Sequence, residues 1–442
     1  MNIYFVSLGC DKNLVDSEMM ITNLRKSGYA LTDDASEADV IVVNTCCFIG
    51  DAKEESINTL LELAAYKEER CKLLVAAGCL AQRYHEEIKE DIPEVDLIVG
   101  TMGYEKLTEK IEEALNNKGV VVESFEDINY LPTPLTDRDS MSGGYYAYLK
   151  IAEGCDKCCT YCVIPKVRGK YRSVPMDNLI EQAEHLVENG AKEIILVAQE
   201  TTLYGKDLYG EKSLPKLLRR LSEIEELRWI RILYCYPEEI TDELIDTIAE
   251  LPKVCKYLDI PIQHGSDNIL KKMGRRTDKN EIISIVDRLR KKIPDIALRT
   301  TLITGFPGET EEDFEELKEF VKKLRFERLG VFTYSREEDT PAAEMEGQVP
   351  EDVKEARRDE IMEIQQEIAF EKGKERIGDD FDVMIEGSLP DEGVYIARTY
   401  MDAPDVDGYV FISSDWHLDS GDFVKVEITG AKEYDLIGDI VE

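Results

Sequence analysis

Cysteines 155, 159 and 162 stand in one short stretch, Cys155-Asp156-Lys157-Cys158-Cys159-Thr160-Tyr161-Cys162. Read as Cys-x3-Cys-x2-Cys, it is a loop with three thiolates. An iron–sulfur cubane ordinarily takes four cysteines. Three ligands leave one iron open to bind and activate something else. The same stretch also offers Cys155, Cys158 and Cys162, so residue types alone leave the middle ligand open. Buried thiols and a zinc site are the competing readings.

A second set of cysteines is spread along the first 120 residues. Asn2 to Cys10, Asp39 to Cys46 and Lys72 to Cys79 are three short apolar runs, each ending in a cysteine. Continuously apolar runs of this length suit buried parallel strands. Helical patterns follow each run, at 17–27, 52–66 and 81–89, which is βαβ organisation. Ligand-bearing residues in such sheets gather beyond the carboxyl ends of the strands. Cys10, Cys46 and Cys79 are therefore expected to converge and to be able to hold a second cluster with an open iron. Cys47 and Cys71 read as bystanders. Asn13, Asp16 and Glu18 read as helix-start residues.

The stretch 121–144 is rich in turn formers and polar groups and reads as a linker. From 145 to about 350 the pattern alternates again. Strands are expected at 146–153, 193–198, 229–234, 257–260, 297–303 and 329–334, with helices between them. Six repeats imply a partial (βα)6 barrel of TIM type, with its chemistry at the carboxyl ends of the strands. The Cys155 loop follows the first strand. Gln199 and Glu200 follow the second, Gln263 and His264 the fourth, and Thr304 to Glu309 the fifth. His264 reads as a hydrogen-bonded structural residue. Arg168 and Arg172 suit either screening of a cluster or substrate carboxylate, or plain solvent exposure. Cys235 and Cys255 read as buried thiols. Residues 351–375 form a charged helical pattern. Residues 376–442 alternate with period two, as in a five-stranded barrel of oligonucleotide-binding type. The fold class is thus α/β, with a small all-β tail.

The formal net charge is −38, the wrong sign for a protein that neutralises nucleic-acid phosphates. Residues 376–442 carry four Lys or Arg against 17 Asp or Glu, a composition that attracts a basic protein and repels RNA. Eleven cysteines without an export signal imply a reducing, cytoplasmic setting and metal ligation in place of disulfides. No apolar run is long enough to cross a membrane. The absence of heptads suggests a monomer.

The cysteine loop resembles that of the radical S-adenosylmethionine enzymes, and this resemblance selects Cys155, Cys159 and Cys162. Ser7-Leu-Gly-Cys10-Asp-Lys-Asn13, Asn44-Thr-Cys46 and Gly78-Cys79-Leu-Ala-Gln82 resemble the amino-terminal domain of the methylthiotransferases. The words from Ala397 to Gly408 resemble that family's small tail domain, of the TRAM kind. The resemblance implies two 4Fe-4S clusters, an auxiliary one at Cys10, Cys46 and Cys79 and a second at Cys155, Cys159 and Cys162, with S-adenosyl-L-methionine as cosubstrate and an electron donor. It implies a radical that takes hydrogen from an unactivated carbon, followed by carbon–sulfur bond formation. Glu200 corresponds to the turn that approaches the methionyl amino group. Here that turn reads Ala198-Gln199-Glu200 in place of Gly-Gly-Glu.

Within the family, the acidic Asp402–Asp407 stretch and the acidic Ser335–Pro341 loop point to the protein-modifying branch. That branch adds a methylthio group to the β-carbon of an aspartate in a basic protein, the twelfth of the small ribosomal subunit. Modification of an adenosine in transfer RNA is the alternative, and a noncatalytic iron–sulfur docking protein is the alternative of another class.

Overall fold

The computed structural model describes residues 1–442 except 118, 390–392, 415 and 442. The first sheet is parallel and six-stranded, in the spatial order Ala30–Leu31, Asn2–Ser7, Val40–Thr45, Leu73–Ala77, Val95–Val99, Val122–Ser124. Val40–Thr45 and Leu73–Ala77 are buried at every position. Alternate side chains leave opposite faces of a strand. Accordingly Ile41, Val43, Leu74 and Ala76 enter one core, whereas Val40, Val42, Leu73 and Val75 enter another. Both faces are covered, and that is why these runs lack polar alternation. The sixth strand falls inside the stretch expected as linker.

The first helix spans Asp11–Lys26, six residues earlier than its apolar pattern suggests. Cys10 occupies its N-cap in extended backbone. The first two turns bury Lys12, Asn13, Asp16, Ser17 and Glu18. This buried face is polar, so it shows no hydrophobic period. The helix expected after Cys79 is divided into Gly78–Arg83 and His85–Asp91.

Six parallel strands follow in sequence order: Tyr146–Lys150, Glu193–Val197, Trp229–Ile232, Tyr257–Asp259, Ala297–Thr304 and Arg328–Thr333. The first three and last three form separate ladders, joined by a parallel bridge between Ile230 and Val254. Helices lie between the consecutive strands, among them Met176–Glu188 and Glu311–Leu324. The latter starts at a capping box of Thr310 and Asp313, which satisfies the free N–H groups of its first turn. The first expected strand is shorter than the pattern suggested. After Lys150 the chain leaves the ladder, and Ala152–Glu153 pairs antiparallel with Arg172–Ser173.

The helix Glu351–Glu375 buries Ile361, Gln365 and Ile368 and leads into a closed five-stranded barrel. That barrel docks on the amino-terminal ends of the central strands. Fully buried Glu193 accepts from Arg231 of the central barrel at 2.6 Å and from Arg398 of the tail at 2.7 Å. Trp229 meets Phe423 edge to face at 4.8 Å. Asp402 accepts from Arg328 Nε at 2.8 Å, Asp405 from the Tyr146 hydroxyl at 3.0 Å, and Asp407 from the Tyr257 hydroxyl at 2.9 Å. The side chains of Asp402 and Asp407 are therefore committed to an internal joint, and Asp405 holds Tyr146 from the surface. The Ser335–Pro341 loop is similar: Glu337 is buried and pairs with Arg83 at 3.0 Å and Lys53 at 3.4 Å.

Candidate functional site

The carboxyl ends of the first sheet bring Cys10, Cys46 and Cys79 together. Gly9 holds φ +88°, and a Cβ there would stand 2.6 Å from Cys46 Cβ and 2.8 Å from its Sγ. Only glycine allows that approach. Gly78 plays the same part before Cys79, where a Cβ would meet Asn44 Oδ1 at 2.2 Å. The turns are pinned by side chains: Asn13 Nδ2 donates to Leu8 O at 2.6 Å, and Ser56 Oγ accepts from the Cys46 N–H at 2.9 Å. Burial pushes the Cys46 thiol up to about 12, and Cys79 and Cys10 nearby add to it. Burial likewise raises Cys79, while Arg168 opposes the rise. Cys10 is exposed and Cys46 and Cys79 are buried, so this set opens towards Cys10. Cys47 packs in the core behind it, as does Cys71.

The second set forms at the first strand of the central barrel. Gly154, at φ +76°, lies so close to Lys170 O that a Cβ would stand 2.1 Å from it. Cys155 N–H donates to Gly169 O at 3.1 Å, and Cys162 N–H to Cys159 O at 3.1 Å. Burial pushes the thiols of Cys155 and Cys162 up to about 12; Cys159 raises both further, and Cys155 acts on Cys162. Cys159 Sγ lies 3.5 Å from the Tyr236 hydroxyl. Cys158 is exposed, and its Sγ is 3.9 Å from Asp156 O. The three thiols that face one another are thus 155, 159 and 162, the register selected by the family resemblance.

Raised values at Cys46, Cys79, Cys155 and Cys162 are what buried thiols beside other sulfurs show without a cation; metal ligation reverses them, because the ligand is the thiolate. Among the described residues no three His, Cys, Asp or Glu side chains close on a single point as ligands of one ion do. A polynuclear cluster spreads its thiolates over separate irons and can leave one iron open where only three thiols are offered, as in each of these sets.

Glu200 lies in the turn after the second central strand. Its Oε1 accepts from the Thr202 N–H at 2.9 Å and from the Thr202 hydroxyl. Its Oε2 is buried with no partner among the described residues. Burial raises the carboxyl to about 7, against the pull of Thr202 and Lys157. An orphaned carboxylate oxygen beside the cysteine loop suits an ammonium ligand. Gln199 turns instead to Glu153 Oε1 at 2.9 Å. His264 accepts from the Ser266 N–H at 3.0 Å and faces Glu309 at 3.3 Å, which is the structural role expected of it. Gly305 is packed by the stem of Lys354, which a Cβ would meet at 2.1 Å.

One ion network joins the two cysteine sets. Arg168 is buried, not solvated. It donates to Cys79 Sγ at 3.4 Å, Asn13 Oδ1 at 3.0 Å, Asp16 Oδ2 at 2.6 Å and Glu153 Oε2 at 3.1 Å. Lys150 pairs with Asp16 and, at 2.7 Å, with Glu153. Burial opposes ionisation of Glu153, yet Lys150 and Arg168 hold its carboxyl well below the usual range. Glu18 pairs with buried Arg138 and accepts from the Met141 N–H at 2.6 Å. Asn13, Asp16 and Glu18 are therefore joint residues as well as residues of the first helical turns. Arg172 caps Arg168 O at 3.1 Å. Lys150 and Glu153 were missed in the sequence, although two charges at the carboxyl end of an apolar strand are a usable signal. Tyr234 was missed as well. It holds φ +59° at the end of the third strand, and its hydroxyl donates to Asp11 Oδ2 at 3.1 Å.

Three family models match in series: "Uncharacterized protein family UPF0004" over residues 2–100, the Radical SAM superfamily over 149–321 and the TRAM domain over 377–441. The ribosomal protein uS12 methylthiotransferase RimO of Lachnoclostridium phytofermentans is 62% identical, covering 99% of each chain. The protein of the same name from Acetivibrio thermocellus is 51% identical over 99% of this chain and 97% of its own. The chain belongs to the RimO methylthiotransferase family. Solved structures share the fold at low identity. The radical S-adenosylmethionine methyltransferase TsrM from Kitasatospora setae superposes with a TM-score of 0.56 at 15% identity, covering 89% of this chain and 80% of its own. OxsB gives 0.53 at 14%, covering 83% and 56%. No helix among the described residues is long and apolar enough to cross a membrane. A cavity of about 520 Å³ lies between the central barrel and the tail, lined by Trp229, Lys256, Asp380 and Tyr400 among others. It is at the end away from the two cysteine triads, with Cys255 in its wall.

Proposed function

We propose that this chain transfers a methylthio group to the β-carbon of an aspartate in ribosomal protein uS12. Two cysteine triads bordering one buried ion network are the observation that carries this reading. Cys155, Cys159 and Cys162 hold one 4Fe-4S cluster, and Cys10, Cys46 and Cys79 hold the other. The clusters and S-adenosyl-L-methionine supply a radical able to take a nonacidic hydrogen, together with the sulfur and methyl to be transferred. Glu200 Oε2 accepts from the methionyl ammonium. Arg168 places a fixed positive charge on Cys79 Sγ and holds the first helix against the Cys155 loop. Tyr236 places its hydroxyl on Cys159. The joint of Lys150, Glu153, Asp16 and Arg168 excludes water between the two sets, which strengthens each of these interactions.

The units divide near residues 120, 145, 350 and 376. An electron donor reduces the enzyme, which works as a monomer in the cytoplasm. The relatives' shared name supports uS12 as the target. The tail's Asp402–Asp407 stretch adds little to that support, because the side chains of Asp402 and Asp407 are turned into the joint with the central barrel. Anaerobic incubation of the reconstituted protein with reductant, S-adenosyl-L-methionine and uS12 should add a methylthio group to one aspartate, read by mass analysis. An unmodified uS12 with a modified transfer RNA would overturn the substrate assignment.

A further inference from the structure

Lys12 buries its stem and leaves its ammonium without a counter-ion among the described residues. Only 6% of the residue is exposed, and among the described residues its ammonium makes no ion pair or hydrogen bond. Its one electrostatic contact is the ring of Tyr234, 3.3 Å from Nζ to the centroid. Buried lysines are almost always paired. This one also sits in the first turn of a 16-residue helix, where the helix dipole disfavours positive charge. Neither burial nor helix stability explains it.

Its position does. Lys12 is two residues from Cys10, the exposed member of the auxiliary triad. It lies over Tyr234, a non-glycine residue in left-handed backbone at the carboxyl end of a central strand. Strain of that kind persists where surroundings enforce it, and it gathers at functional sites. The other cations nearby are committed: Lys150 and Arg168 to Asp16 and Glu153, Arg138 to Glu18, and Lys157 to Glu238 and Glu239. The adjacent carboxylate, Asp11, is engaged by the Tyr234 hydroxyl.

We infer that Lys12 binds the side-chain carboxylate of the target aspartate. This rests on the proposed function and deepens it. The carbon to be modified is one bond from that carboxyl carbon. Anchoring the carboxylate at Lys12 therefore fixes the β-carbon beside Cys10 and at the carboxyl-end mouth of the central barrel. A charge-assisted bond to that ammonium also separates aspartate from asparagine, which offers it no negative charge.

Anaerobic titration of the cluster-loaded enzyme with uS12, and with uS12 carrying Asn at the target, tests this. Losing a buried charge pair should cost the wild type about 30-fold or more in affinity for the Asn form. Lys12→Met and Lys12→Gln should bind both forms alike, with the Asp form weakened to the Asn level, whereas Lys12→Arg should keep the preference. Iron content and melting temperature report whether each variant is intact. Equal binding of both forms by the wild type overturns the inference without any variant. A preference that survives Lys12→Met also overturns it. Failure of the wild type to thiolate uS12 at all would instead overturn the proposed function.

Discussion

Replacing Arg168 with Met removes the one side chain that touches both halves of the joint and Cys79. Arg168 is 2% exposed and gives charged hydrogen bonds to Asp16 and Glu153. Without it two buried carboxylates share Lys150 alone. Breaking a buried ion pair from one side costs about 3–5 kcal/mol, because the partner is left uncompensated. At roughly 2 °C per kcal/mol for a unit of this size, Arg168→Met should melt about 6–10 °C below the wild type, measured on the metal-free protein by circular dichroism. Arg168→Lys keeps the charge but loses the planar fork and should fall between them. Asp16→Asn relieves part of the surplus charge. The double variant should therefore be at least about 1 kcal/mol more stable than the sum of the single losses. A shift below about 2 °C, or simple additivity with Asp16→Asn, would refute the account of Arg168 as the keystone of the joint.

Cys159→Ala should abolish cleavage of S-adenosylmethionine by the reduced protein, and Cys158→Ala should leave it near wild type; the reverse order would give the middle position to Cys158. Gly9→Ala forces a Cβ against Cys46 in left-handed backbone, so bound iron should fall by about half while the barrel cluster persists, as measured by iron and sulfide analysis. Glu200 titrates near 7 in the folded protein against an ordinary 4.5. The folded state therefore holds its proton more tightly, and stability falls as pH rises from about 4.5 to 7, by at most about 3 kcal/mol. Glu200→Gln removes that slope, so in metal-free protein its melting advantage over wild type should grow between pH 5 and 7.5; a constant difference would contradict the carboxyl's assignment. Arg398→Met strips fully buried Glu193 of one partner and should cost about 3–5 kcal/mol. It should leave S-adenosylmethionine cleavage intact, because this joint is at the opposite end of the barrel.

The convergence of Cys10, Cys46 and Cys79 was legible because an apolar run ending in cysteine carries strand, direction and position together; the Cys155 loop was legible from its spacing, and its middle member from the family resemblance. The helices Met176–Glu188 and Glu351–Glu375 run where the sequence pattern puts them, since their periodicity and end residues are local. The joint was not legible. Asp16 and Arg168 are 152 residues apart, and nothing near either announces the other. Charge counting overstated what one stretch offers for a related reason. Composition records Asp402, Asp405 and Asp407 as surface to offer a partner, but not that Arg328, Tyr146 and Tyr257 already hold them. The early start of the first helix was hidden by its own polar, buried face.

The tail's seat on the amino-terminal ends of the central strands has a kinetic consequence. With Asp402, Asp405 and Asp407 bound to the strand starts, the tail covers the rear of the central strands and leaves the cysteine end as the approach for a large partner. Substrate protein, cosubstrate and their products share that doorway. A protein seated across it would obstruct exchange of the small molecules, so its release should precede theirs and limit turnover.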